Sequence, residues 1–184
     1  MKLSTLLVAP LAWLALDVQA QSITVLSGGG DARSCSSAAQ LSEHLNPSRS
    51  DLDPCNRALD GVHLTRRDRA ATYVNRGILQ SKLERYQEAL NDYNEALKLL
   101  ELPQAWNGKG NLYYLAERYD EAIAAYERSL ELELPMPHVA HYNLGLVYER
   151  LNDEAAAQRS YETALQLMPD WQPAADRLQQ LQQD

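Results

Sequence analysis

Four sets of residues recur along this chain at the same two spacings, 33 and 35. They are Gly77, Gly110 and Gly145; Ala89, Ala122 and Ala157; Tyr93, Tyr126 and Tyr161; and Ala96, Ser129 and Ala164. A period between about 20 and 50 residues marks a solenoid, in which each unit buries its apolar face on its neighbours. Inside one unit the apolar positions follow helical spacing. Trp106, Gly110, Tyr113 and Tyr114 precede a polar turn at Glu117 and Arg118, and Ala122, Ile123, Tyr126, Leu130 and Leu134 form the stripe after it. Asp120 and Glu121 stand in the first turn of the second helix, where the macrodipole favours acids. Each unit therefore reads as a helical hairpin, and the chain as all-α. A glycine inside a helix costs about 1 kcal/mol relative to alanine, a cost that close helix approach at the glycine column has to offset.

Trp106, Gly110, Tyr113, Ala122, Tyr126 and Pro135, with Asn143, Leu144, Gly145 and Tyr148 in the next unit, resemble the tetratricopeptide repeat family over about residues 70–169. The departures are Gln80, where the first helix would carry a tyrosine, and His141, in the place of Trp106. The resemblance implies a TPR-like α-solenoid of three hairpins, about 70–102, 103–137 and 138–171, within a segment 65–184. A capping helix closes it, with Ala174, Leu178 and Leu181 on one side. The family's inner helices line a concave groove that receives a peptide. Carried over by position, that groove takes Val74, Asn75, Ile78, Asn107, Asn111, Tyr114, Tyr142, Asn143, Leu146 and Arg150. Asparagine amides there would grip a peptide backbone as donor and acceptor together, and Ile78, Tyr114 and Leu146 would add apolar contact. The competing reading is a solvated face. Some family members clamp a terminal carboxylate with basic residues beside such asparagines, and Gln104 and Val139 do not supply them.

The first 20 residues carry Lys2, an apolar run from Leu6 to Leu16, and Val18, Gln19, Ala20, the pattern of a secretory signal cleaved before Gln21. The run is short for a membrane span, which needs about 20 apolar residues, and a buried N-terminal helix is the alternative. Residues 21–31 read as an N-terminal arm, with a β-prone run at 23–26 and a flexible linker at Gly28, Gly29 and Gly30. A phosphate cradle would need a following lysine or further glycine at fixed offset, which is absent. Residues 32–64 read as an irregular helical cap. Export places Cys35 and Cys55, the chain's two cysteines, where disulfides persist, and they are expected to pair and staple this cap. Free thiols or a metal site are the alternatives, without a CxxC or nearby histidine to support them. Thr65 followed by Asp68 resembles a capping box, and Pro103 opens the next hairpin.

A net charge of −8 gives no basic stripe for nucleic-acid phosphates. There is no GxSxG elbow, HExxH pair, P-loop or EF-hand loop, so no catalytic residue and no cofactor are nominated, and the chain is expected not to be an enzyme. His138 and His141 sit three apart and could face one metal ion, but no further ligand is nominated and His141 falls on a packing position. The expectation is an exported interaction module or assembly adaptor, periplasmic in a double-membrane cell and otherwise secreted, holding a protein or peptide segment in its groove. The alternative is a self-associating structural subunit of an envelope complex, a homo-oligomer. Groove binding needs a hollow left free for a guest.

Overall fold

The computed structural model describes residues 21–25, 29–61 and 63–183, so the expected signal at 1–20 lies outside the described residues, as do Leu26 and Gly28. A cap forms first: α1 (Gly30–Leu41), a 3-10 turn (Arg49–Leu52) and α2 (Asp53–Asp60). Three hairpins follow, each pairing an inner with an outer helix: α3 (Arg66–Lys82) with α4 (Tyr86–Leu99), α5 (Pro103–Leu115) with α6 (Tyr119–Glu131), and α7 (Pro137–Arg150) with α8 (Glu154–Leu167). The closing helix is α9 (Gln172–Leu181). Among the described residues no helix is long and apolar enough to cross a membrane.

Local chemistry sets the helix ends. The Asp68 amide donates to Thr65 Oγ1 at 3.1 Å, capping α3, and Pro103 and Pro137 are the first residues of α5 and α7, where a missing N–H costs nothing. Within every hairpin the turn is the same device. Glu84, Glu117 and Asn152 take left-handed φ of 60°, 58° and 57°. The following amide then reaches back five residues: Arg85 to Gln80 at 2.8 Å, Arg118 to Tyr113 at 2.9 Å, and Asp153 to Tyr148 at 2.9 Å. This is the Schellman closure, and it satisfies carbonyls that the helix end would otherwise orphan. No glycine marks these turns, so sequence periodicity places them while their backbone conformation goes unannounced.

The glycine column permits close approach by the tyrosine column that shares its period. A Cβ built on Gly77, Gly110 or Gly145 would lie 2.8, 2.5 or 2.4 Å from the ring of Tyr93, Tyr126 or Tyr161 respectively. Each tyrosine ring fills the space a side chain on the inner helix would need. Tyr93 also lies against the next unit, since a Cβ on Gly108 would meet its ring at 2.4 Å. The three rings are at most 1% exposed.

Cys35 and Cys55 are bonded, with Cα atoms 4.8 Å apart, and tie α1 to α2. Ala39, Leu52 and Leu79 pack around them, which seats the cap on α3. Arg76 strengthens that seat. Its guanidinium pairs with both Asp92 carboxylate oxygens at 2.7 and 2.8 Å and donates to Asn56 Oδ1 at 2.9 Å, so one side chain joins α2, α3 and α4.

Candidate functional site

The inner helices α3, α5 and α7 carry the ten residues expected on the concave wall. Their environments differ. Val74, Asn75, Ile78, Asn107 and Asn143 are at most 2% exposed, Asn111, Tyr114, Tyr142 and Leu146 reach 6–8%, and only Arg150 of the ten is exposed. Val74 and Ile78 pack with Tyr93, Ala105 and Leu112 at the joint between the first two hairpins. Tyr142 meets the rings of Tyr161 at 5.5 Å and Trp171 at 5.0 Å. A solvated wall is therefore not what the structure shows.

The asparagines divide into two chemical roles. Asn111 and Asn143, expected on the groove wall, bond to each other across the second and third units, and Asn111 also bonds within its own hairpin. Asn111 Oδ1 accepts from the Tyr126 hydroxyl at 2.8 Å and from Asn143 Nδ2 at 3.2 Å. The cause is burial: a phenol enclosed between helices must find an acceptor. The tyrosine column solves this differently in each unit, Tyr93 facing Ser81 Oγ at 3.5 Å and Tyr161 donating to Glu149 Oε1 at 2.6 Å. Arg177 of α9 pairs with Glu149 in turn, linking the closing helix to the third hairpin. Burial holds the Tyr161 and Tyr126 phenols well above the usual tyrosine range, so both stay neutral donors.

Asn75 holds a backbone segment of the chain itself. Its Oδ1 accepts from the Ile23 amide at 2.8 Å, and its Nδ2 donates to the Ile23 carbonyl at 2.8 Å. One side-chain amide thus reads both polar groups of a residue in non-helical backbone. The Ile23 carbonyl also accepts from Ser36 Oγ of α1 at 2.9 Å. Farther along, Gln21 Nε2 donates to the Met136 carbonyl at 3.0 Å and Gln21 Oε1 accepts from the Met136 amide at 3.3 Å, just ahead of α7. Val25 is buried with Ala32, Ala58 and Ala71.

The hollow is therefore not left free: residues 21–25 of the chain itself reach from the first inner helix to the start of the third. The segment read as an N-terminal arm thus lies, over its described residues 21–25, against the inner helices. The signal was present, because Gln21, Ile23 and Val25 alternate with Ser22 and Thr24 as a strand-like segment with one buried face would. What sequence cannot give is the surface that such a segment finds.

At the opposite ends of the inner helices, Arg150 Nε donates to the Tyr114 hydroxyl at 3.2 Å, with its guanidinium 6.0 Å from the Tyr114 ring centre. This pair joins the second and third units at an accessible edge. His138 lies edge-on to Trp171 at 4.8 Å, and among the described residues no group of three His, Cys, Asp or Glu converges as metal ligands would.

Comparison with known proteins agrees with this geometry. Models described as tetratricopeptide repeat match residues 70–101, 103–133 and 138–171, together more than half of the chain. Human tetratricopeptide repeat protein 13 is 30% identical over 104 residues, 56% of this chain but 12% of that protein, so the chain spans a small part of that relative. Among solved structures, MamA from Desulfovibrio magneticus RS-1 superposes with a TM-score of 0.64 at 20% identity, covering 84% of this chain and 85% of that one. The first TPR of Spaghetti (RPAP3), bound to the HSP90 peptide SRMEEVD, gives 0.59 at 20% identity, covering 67% and 97%. At such identities the likeness is one of fold.

Proposed function

Because the chain belongs to the tetratricopeptide repeat family, we propose that it is an exported protein–protein interaction module, an assembly adaptor that binds a polypeptide segment on its concave face. Stacked hairpins of this kind are generally non-enzymatic scaffolds whose curvature creates an extended binding surface. The observation that carries the reading is Asn75, which holds the Ile23 backbone through donor and acceptor at once. Residues 21–25 occupy that wall, so a guest must displace them, and a wall that grips one extended segment has the chemistry to grip another. The exposed Arg150 beside Tyr114 adds a charged, aromatic edge to the same face.

A photo-crosslinking residue at position 150 is expected to capture foreign polypeptide in the native cell, whereas one at Gln158, exposed on α8, is not. Equal labelling from both positions would remove the groove reading. Adducts made only with other copies of the chain would favour the second reading, a self-associating envelope subunit.

Export is part of the same proposal, supported by the leader-like first 20 residues and by the Cys35–Cys55 bond, which persists in oxidising compartments. In a double-membrane cell the address is the periplasm. Intact-mass measurement of the protein from its own cells is expected to give a chain beginning at Gln21. A chain beginning at Met1 in the cytosolic fraction would overturn it.

A further inference from the structure

The geometry points to a strand-docking site centred on Asn75 that takes an extended segment with an amide side chain and aliphatic residues at alternate positions. In the structure its occupant is the chain's own 21–25, and a partner segment of the same alternation takes the site by displacing them. This rests on the reading of the concave face as a peptide site and names the ligand class.

Three features define what the site selects. Asn75 needs both the N–H and the C=O of the central residue, so proline is excluded there. The residue two places ahead must offer an amide, because Gln21 meets the N–H and C=O of Met136 with complementary groups. The residue two places behind must be aliphatic, since Val25 is 3% exposed among alanines of α1, α2 and α3. The outward position between them, Thr24, is exposed and free to vary. Gly29 and Gly30, at the start of α1, carry no side chain, and a Cβ on either would meet nothing within 4 Å. The contacts just named hold the described residues of the arm in place. A tethered occupant competes at an effective concentration of about millimolar, so a free ligand sees only the fraction of molecules whose arm is undocked.

The test uses the full chain and a fluorescent synthetic peptide with the sequence of residues 21–28. Ile23→Pro removes the donor that Asn75 Oδ1 accepts and should free the site without touching the hairpins. The peptide is expected to bind the Ile23→Pro chain about tenfold or more tighter than wild type. Adding Asn75→Leu should abolish that gain, and a peptide that itself carries proline at the central position should not bind. Equal affinity for wild type and Ile23→Pro would overturn the proposal, as would no binding to a Ile23→Pro chain whose helical circular dichroism is intact. Hydrogen exchange gives a second readout: the Ile23 amide should be protected in wild type and lose protection in Asn75→Leu, and fast exchange in wild type would also sink it. Concentration-dependent dimers of wild type held by exchanged arms would show the occupant to be a second copy and overturn the choice of a separate partner. If the peptide fails while position 150 still captures foreign chains, the docking site falls and the wider groove reading stands.

Discussion

Tyr161→Ala is expected to cost about 3–5 kcal/mol, the range for deleting a large aromatic side chain from a core. Three losses coincide. The ring is fully buried and fills the space over Gly145, where a Cβ would sit 2.4 Å from it, so no neighbouring side chain on that surface can swing in to close the cavity. Its contact with Tyr142 at 5.5 Å disappears. Its hydroxyl no longer donates to Glu149, a carboxylate already drawn away from water by Arg177. Tyr161→Phe separates these terms: it keeps the ring, leaves Glu149 its Arg177 partner, and should cost about 1.5–3 kcal/mol for a hydrogen bond to a charged group. Because each unit of a solenoid contacts only its neighbours, the loss should open α7, α8 and α9 first. Urea unfolding with hydrogen exchange resolves this. Equal stabilities for the alanine and phenylalanine variants would show that the ring fills no space the hairpin needs.

The same column shows how much of the molecule was legible beforehand. Gly145 and Tyr161 keep the period of Gly110 and Tyr126, and that period implies tandem hairpins before any coordinate is known. The all-α solenoid and the proline start of α5 follow from spacing, and the paired cysteines from an expected oxidising compartment. The polar side of the column was hidden. Ser81 and Glu149 occupy one repeat position, but the second unit has Tyr114 there and sends its phenol to Asn111 instead, so the period alone does not announce which group receives each phenol. The site was half legible for a related reason. Position in the repeat places Asn75, Asn111 and Asn143 near one wall, but it cannot say that Asn143 donates to Asn111 while Asn111 also receives the Tyr126 phenol. Nor can it say that five residues ahead of α1 return to meet the third, because that contact joins positions 52 apart in sequence and depends on where α3 comes to lie.

Removal of the Cys35–Cys55 bond by replacing both residues with alanine is expected to destabilise the fold by about 3 kcal/mol, the chain-entropy value for closing a loop of this length. The separation is 20 residues, and the bond joins the two cap helices, which have α3 as their neighbour on one side only. At roughly 2–4 °C per kcal/mol for a chain of this size, the melting temperature should fall by about 6–12 °C. Both sulfurs are fully buried, so a thiol reductant should act slowly on the folded protein and quickly once it is partly unfolded. The effect should also reach the concave face. Ser36 of α1 donates to the same Ile23 carbonyl that Asn75 holds, so loosening α1 withdraws one of the bonds that keep the arm docked. Faster exchange of the Ile23 amide in the double-alanine variant, with the α7–α8 amides unchanged, is the expected pattern. Melting unchanged by loss of the bond would mean that packing of Ala39, Leu52 and Leu79 alone holds the cap, and that the cysteines do not stabilise it.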